Sequence, residues 1–291
     1  MIGLSIAGFD PSGGAGILTD IKTMAAHGVH GASVVTALTA QNPKKVFSVK
    51  PISPQYICEQ IDSIFDDYDI KYSKTGLLFS KEIIKSVSKK VDEYNLSLVV
   101  DPVMVASAGG SLAKDEMAES LKKYLLKKSI LTTPNVSEAE KLSGIKINNQ
   151  NDAIEAAYKI GEYCNVIITG GHLNGNNIIY TKEDNNITII TQDLIETNNL
   201  HGTGCSLSAA IISNLIIEEN KNTDKTVGKK ETDTVNVQPT ASYVANKNTK
   251  KFHIPTCSSV GDMAEHNKWY FDGTRDQLIE QGYVPCKRCH P

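Results

Sequence analysis

Seven residues, His201-Gly202-Thr203-Gly204-Cys205-Ser206-Leu207, carry the strongest chemical signal in the chain. Glycines at 202 and 204 let the backbone turn tightly and approach a ligand with no Cβ in the way. The apolar stretch Ser206 to Ile217 that follows reads as a helix. The unpaired N–H groups of a first helical turn, backed by the helix dipole, make an anion site. Cys205 stands at its mouth, where such surroundings are expected to lower a thiol's pKa and give it thiolate character. The combination suits chemistry on a phosphate, or on a group about to receive one. A Gly-x-Gly alone is weak evidence, since glycines also cap helices.

A second constellation lies near the end of the chain, where His253-x3-Cys257 and Cys286-x2-Cys289 form two knuckles. Four soft or borderline ligands in that arrangement suit tetrahedral Zn²⁺. Free surface thiols are the blander reading, and the paired spacing argues against it. Residues 241–291 contain one Trp, Trp269, and few core aliphatics, so a unit of this size needs a metal staple to fold. The other cysteines of the six, Cys58 and Cys164, sit in apolar patterns and read as small core residues.

These residues need a scaffold, and 291 residues suffice for one large domain and a small one. A hydrophobic content of 40%, a charged content of 22% and a net charge of -3 are ordinary, and give the chain as a whole no strong attraction to nucleic acid or membranes. The N-terminal Met1–Gly8 reads as a first strand rather than a signal peptide, and no apolar run is long enough to span a bilayer; a cytoplasmic protein is expected. Over residues 1–217 apolar strand patterns alternate with helical ones, among them strands at 2–7, 32–38, 71–75, 96–100, 130–132 and 166–169. A hairpin is expected from 178–180 and 187–190 around the turn at 183–186. Repeated βα units of this kind predict an α/β fold, an open and mainly parallel sheet with helices on both faces. Ligands bind such sheets beyond the carboxyl ends of the strands. Gly8–Gly16, Gln41-Asn42, Asp101, Asn135, Gly170-Gly171-His172 and the Cys205 loop each follow a strand, so they should meet along one edge. Residues 218–240 are polar and aperiodic and read as a linker, with a polar surface helix as the alternative.

Taken together, Gly8-Phe9-Asp10-Pro11-Ser12-Gly13-Gly14-Ala15-Gly16, Thr39-Ala40-Gln41-Asn42, Asp101-Pro102-Val103-Met104-Val105, Thr133-Pro134-Asn135-Val136-Ser137-Glu138, Gly170-Gly171-His172 and His201–Cys205 form a specific pattern. It resembles the hydroxymethylpyrimidine/phosphomethylpyrimidine kinases of thiamine biosynthesis, a branch of the ribokinase-like superfamily, over roughly the first three quarters of the chain. The resemblance implies ATP- and Mg²⁺-dependent phosphorylation of 4-amino-5-hydroxymethyl-2-methylpyrimidine and then of its monophosphate. It also implies roles. Gly202, Thr203, Gly204 and Cys205 are the expected catalytic loop, with Cys205 as base or orienting group. Gly8, Gln41, Leu77 and Val103 are the expected substrate contacts, the Gln41 amide suiting a ring nitrogen beside an exocyclic amine. Asp101, Asn135 and Glu138 are the expected Mg²⁺ and phosphate residues, although Asn135 and Glu138 also read as a helix-capping box. Asp20 is given no role, and His172 and His201 are read as hydrogen-bonded structural histidines, with ATP-side contacts as the alternative.

Three departures from the family pattern stand out. Thr169 occupies a position where Lys is usual, Leu77 one where Met is usual, and the family's last helices are not recognisable after the Cys205 helix. Phe252-His253, Thr274-Arg275 and Gly282-Tyr283-Val284-Pro285-Cys286 resemble the Ada-type zinc-binding module. That module uses four cysteines, one of them a methyl acceptor, and His253 at the first position points instead to structural zinc. Its lysines and arginines could contact nucleic acid, but solvated charge is the commoner meaning. A pyridoxal kinase is the nearest alternative activity. A non-catalytic pyrimidine-binding regulator is the alternative of a different class, and a homodimer is compatible with either.

Overall fold

The computed structural model describes residues 1–104, 114–193, 201–227, 242–261 and 263–291. They fall into two units, Met1–Lys225 and Thr226–Pro291. The large unit runs β1 (Ile2–Phe9), α1 (Gly16–Ala26), β2 (His30–Asn42), β3 (Lys45–Pro51), α2 (Pro54–Phe65), β4 (Tyr72–Thr75), α3 (Lys81–Glu93), β5 (Ser97–Val100), α4 (Lys114–Tyr124), β6 (Ser129–Thr132), α5 (Val136–Ser143), α6 (Gln150–Gly161), β7 (Asn165–Ile168), β8 (Asn176–Thr181), β9 (Asn186–Thr191) and α7 (Thr203–Val227). Its nine strands form one sheet in the order β3-β2-β1-β4-β5-β6-β7-β8-β9. The run from β2 to β7 is parallel, and β3, β8 and β9 are antiparallel additions at the two edges. The expected hairpin is β8–β9, with Tyr180 opposite Ile187.

The two-residue period of the strands sorts side chains between the two faces. Leu4 and Ile6 of β1 and Leu98 and Val100 of β5 share one core with apolar residues of α2–α6, such as Ile57, Ile84, Leu121, Leu142 and Ile160. Val99 points the other way and packs with Met24 of α1 and Ile212 and Ile216 of α7. Helix starts follow the local chemistry. Ser53 caps α2, whose first residue is Pro54, Ser80 caps α3, and Asn135 with Glu138 forms a reciprocal capping box on α5.

Two expectations need correction. Gln41 is not in a loop after a strand but inside β2, paired with Val46 of β3, an edge strand that the sequence reading lacked. Most of β3 is half-buried or exposed, so it carries no continuous apolar run to read. The polar stretch expected to begin as a linker at 218 is instead helical as far as Val227. Its Glu218–Lys221 pair lies at helical spacing, and Glu219 pairs with Lys71, the residue before β4. The rest of the expected linker, 228–240, lies outside the described residues.

The face shared with α1 and α7 also contains a buried charge. Lys74 of β4 is fully buried, with its Nζ 2.9 Å from Asp20 Oδ1 of α1 and 3.9 Å from Asp101 Oδ2. Asp20, also fully buried, accepts a 2.6 Å bond from the Ser5 hydroxyl of β1. Burial alone would lower Lys74, but Asp20, the Cys205 sulfur and Asp101 hold it above its ordinary value.

The small unit comprises β10 (Tyr243–Asn246), β11 (Lys251–His253), α8 (Ser258–Gly261), β12 (Lys268–Phe271), α9 (Arg275–Glu280) and β13 (Val284–Pro285), with sheet order β12-β10-β11-β13. Neighbouring Val244 and Ala245 belong to two separate small cores. Val244 packs with Cys257, Val260 and Cys286, and Ala245 with Phe252, Leu278 and Tyr283. No helix among the described residues is long and apolar enough to cross a membrane.

Removing one partner of a buried ion pair strands the other charge. Asp20→Leu should therefore destabilise the large unit by about 3 kcal/mol or more, read as a lowered urea midpoint by far-UV circular dichroism. Lys74→Met combined with Asp20→Leu should recover most of that loss, and a double variant no better than the single one would refute the pairing.

Candidate active site

The strand order reverses about β1, which has β2 on one side and β4 on the other. Beyond the carboxyl ends of these strands lies a mainly apolar pocket. Gly8, Gln41, Leu77 and Val103, the four expected substrate contacts, all line it, together with Asp10 and Cys205. Local bonds set this floor: Thr36 donates to the Leu77 carbonyl, and Thr39 donates to the Phe9 carbonyl at 2.9 Å.

A larger, more polar cleft of about 1120 Å³ adjoins it over β5, β6 and β7. Asp101, Asn135 and Glu138 line this cleft, as do Gly202, Thr203, Gly204 and Cys205 at the start of α7. Ala15, Val103 and Cys205 line both spaces, so the thiol stands at their junction. His172, on the turn Gly170–His172, faces a neighbouring recess with Asn135 and Thr203.

Backbone contact between two glycine turns holds the α7 terminus in place. Gly202 has φ +83°, and a Cβ there would fall 1.8 Å from the carbonyl oxygen of Gly14. His201 completes the contact, its Nε2 2.7 Å from Asp10 Oδ2. The structural reading of His201 agrees with this bond. Gly204 faces Asp101, whose carboxylate oxygens would lie 3.8 and 3.9 Å from a Cβ at that position. Ser208, one turn into α7, donates to Asp101 at 3.4 Å.

The electrostatics differ from expectation at Cys205. Burial pushes its thiol up to about 11, and Asp101 and Asp20 add to the rise, outweighing the buried Lys74 charge. The expected thiolate character is therefore absent at neutral pH, because the sulfur is too far removed from water for one cation and a helix terminus to ionise it. Burial also raises Asp101, against the pull of Lys74. Glu138 is pushed up to about 8, first by burial and then by the charge of Asp101. Two carboxylates that repel across a cleft, with an amide beside them, form an oxygen donor set suited to a hard divalent cation. The buried Thr133 hydroxyl lines the same cleft with no hydrogen-bond partner among the described residues. Asn135 and Glu138 also make both bonds of the capping box at 3.0 Å, so the cleft and the cap share them.

In the small unit, the ligand atoms of His253, Cys257, Cys286 and Cys289 all lie within 4.8 Å of one another. Tetrahedral zinc with Zn–S bonds of about 2.3 Å needs corners about 3.8 Å apart. His253 Nδ1 is 3.4 Å from Cys257 Sγ, and the Arg288 N–H donates to Cys286 Sγ at 3.4 Å. The donor set and its compactness fit zinc.

Sequence reasoning missed Asp10, Asp20, Lys74 and Thr133. A lysine in a short strand announces nothing about burial when its carboxylate partner lies on a distant helix. Thr133 and Asp10 were legible only as members of longer motifs.

Comparison with known proteins identifies both units. Residues 10–230 match the family model described as phosphomethylpyrimidine kinase, and residues 236–291 match the metal binding domain of Ada. The hydroxymethylpyrimidine/phosphomethylpyrimidine kinase of Bacillus subtilis is 41% identical over 222 residues, which cover 72% of this chain and 79% of that protein. The crystal structure of phosphomethylpyrimidine kinase from Clostridium difficile superimposes with a TM-score of 0.64 at 38% identity, covering 78% of this chain and 97% of that one. An ADP complex of Bacillus subtilis pyridoxal kinase gives a TM-score of 0.68 at 35% identity, covering 74% and 83%. A family model that spans residues 10–230 and a relative 41% identical over 222 residues show that the chain belongs to the phosphomethylpyrimidine kinase family.

Proposed function

We propose that this chain transfers the γ-phosphoryl group of ATP to the hydroxymethyl oxygen of 4-amino-5-hydroxymethyl-2-methylpyrimidine, and then a second phosphoryl group to the monophosphate. The observation that carries the reading is the position of Cys205, between a small apolar pocket sized for one aromatic ring and a polar cleft under a helix N-terminus. The ring lies against Leu77 and Val103, close to the Gly8 backbone, with Gln41 pairing its polar edge. The phosphates lie in the cleft, where the N–H groups of Gly202–Cys205 face the charge that develops on the transferred group. Asp101, Glu138 and Asn135 are the residues that would hold Mg²⁺, which when bound neutralises phosphate charge.

The acceptor oxygen forms its bond to the γ-phosphorus as the β–γ bridging bond breaks and ADP departs. The hydroxyl proton leaves late, as the loose transition state of phosphoryl transfer requires. A protonated Cys205 cannot take up a further proton, so its task is to orient the hydroxyl, and the proton passes late to an oxygen of the transferred phosphoryl group. Pyridoxal is the competing acceptor, favoured by the similarity to pyridoxal kinases. The Gln41 amide favours the aminopyrimidine, because it offers an acceptor to the exocyclic amine and a donor to the ring nitrogen. The zinc in the second unit is structural on this reading.

Cys205→Ala should lower kcat for the hydroxymethylpyrimidine by about 10²-fold or more while the KM for ATP changes little. Measurable pyrimidine binding by calorimetry without any turnover in the wild type would make the protein a sensor rather than an enzyme. With the thiol at about 11, alkylation of Cys205 by iodoacetamide, followed by peptide mass spectrometry, should be slow near neutrality. Its rate should rise about tenfold per pH unit between about pH 7 and pH 9, and fast alkylation at pH 7 would contradict the burial argument. Trp269, the only tryptophan, packs with ring centroids 5.0 Å from Phe271 and 5.5 Å from Tyr283. Chelation of the zinc should therefore shift its emission to the red while the far-UV signal of the large unit persists.

A further inference from the structure

A buried ion pair beneath the site takes no part in the mechanism above. The Lys74 ammonium and the Asp20 carboxylate are both fully buried, 2.9 Å apart, and Ser5 donates to the other oxygen of Asp20 at 2.6 Å. Asp101 is the third member of the cluster. Its Oδ2 lies 3.9 Å from Lys74 Nζ, close enough for an ion pair and too long for a hydrogen bond. Lys74 also lies behind the wall of the acceptor pocket: a Cβ on Gly76, which lines that pocket, would fall 3.6 Å from Nζ.

Stability does not account for this pair. Taking an ammonium and a carboxylate out of water is costly for each ion, and a well-packed apolar pair of similar volume commonly serves a fold as well or better. What an apolar pair could not do is act on Asp101. The backbone of Asp101 is fixed just past the end of β5, where its N–H donates to the Thr75 carbonyl at 3.1 Å. Its side chain lines the polar cleft and is 4% exposed. Two fully buried groups reach the carboxylate, Lys74 of β4 and the Ser208 hydroxyl of α7 at 3.4 Å, and both meet Oδ2. The ammonium is itself held by Asp20, so it meets Asp101 from one fixed direction.

We propose that Lys74 is a positioning residue for the phosphoryl-transfer cleft. Anchored by Asp20, it fixes Asp101 Oδ2 towards the core and leaves Oδ1 to face the divalent cation that accompanies the nucleotide. Lys74 touches neither substrate nor nucleotide and acts only through Asp101. The inference rests on the kinase reading, with Asp101 among the residues that would hold Mg²⁺, and adds the partner that sets which carboxylate oxygen is offered. Groups that hold a cation are commonly oriented by outer partners of this kind, and losing one lowers metal affinity by about 10- to 100-fold.

The test compares the wild-type full chain with Lys74→Met/Asp20→Leu, which removes both charges together and strands neither. Calorimetry measures the affinity for ADP with and without Mg²⁺, and separately that for the hydroxymethylpyrimidine. The wild type should bind ADP at least about tenfold more tightly when Mg²⁺ is present. The double variant should bind metal-free ADP and the pyrimidine within about threefold of the wild type, while the Mg²⁺-dependent gain falls by about tenfold. In turnover, the Mg²⁺ concentration for half-maximal rate should rise by a similar factor with the pyrimidine KM little changed. A purely structural pair would leave the Mg²⁺ gain intact in the folded variant, or would weaken every ligand alike, and either result would overturn the inference. A wild type that phosphorylates the pyrimidine but whose ADP affinity ignores Mg²⁺ would overturn it and leave the kinase reading standing. Neither pyrimidine binding nor turnover by the wild type would remove that reading and the inference with it. Should the double variant fail to fold, Lys74→Gln/Asp20→Asn decides, because its two amides can keep a hydrogen bond between the same positions without the charges. An undiminished Mg²⁺ gain there would refute the positioning.

Discussion

Everything at the carboxyl ends of the strands depends on one close approach, the backbone of Gly202 resting on the carbonyl of Gly14. The first glycine turn follows β1 and the second precedes α7, so the contact joins the two ends of the large unit. A side chain at 202 would have to displace a backbone carbonyl, which has nowhere to go while β1 pairs with β2 and β4. With the turn seated, the N-terminus of α7 lies over Asp101, and Cys205 falls between the two cavities without any further device. The histidine–aspartate bond beside it closes the same seam through side chains. Helix α7 can carry the exposed polar residues Asn220, Lys221 and Asn222 because its first turn is fastened this firmly.

Charge is distributed in compartments around that terminus. The acceptor pocket has apolar walls and a single, heavily solvated-by-protein carboxylate. The cleft has two carboxylates whose ionised forms repel each other, and an unpartnered hydroxyl. The sulfur between them is neutral, so neither compartment is pre-charged at the point where the reacting oxygen must sit. This is a different solution from a pre-ionised nucleophile or base. It leaves the thiol inert towards electrophiles near neutrality.

Much of this was legible in the sequence. Apolar strands alternating with capped helices defined the parallel sheet, and the habit of polar motifs to follow strands was enough to bring Gly8, Asp101, Asn135 and Cys205 to one edge. The metal knuckles were legible because ligand type and spacing are local. What failed to show had nonlocal causes. Strand β3 exposes most of its residues and leaves no apolar run. Glu219 in the polar part of α7 pairs with Lys71, which is far away in sequence and precedes β4. Cys205 was read from its helix terminus alone, whereas its acidity is decided by how much water the surrounding strands exclude. Lys74 and Asp20 look like surface residues until the sheet brings β4 against α1.

Lys74 has one more consequence. A charge at the surface is screened by dissolved ions within about 10 Å at ordinary ionic strength. The Lys74 ammonium is fully buried, and so is the Asp20 carboxylate that neutralises it. Mobile ions cannot enter between them, so the field this pair exerts on the buried Asp101 is screened much less by salt than that of a surface pair. The electrostatic setting of the reacting groups is thus mainly a property of the folded chain, and changes of ionic strength act chiefly on the approach of the charged ligand from outside.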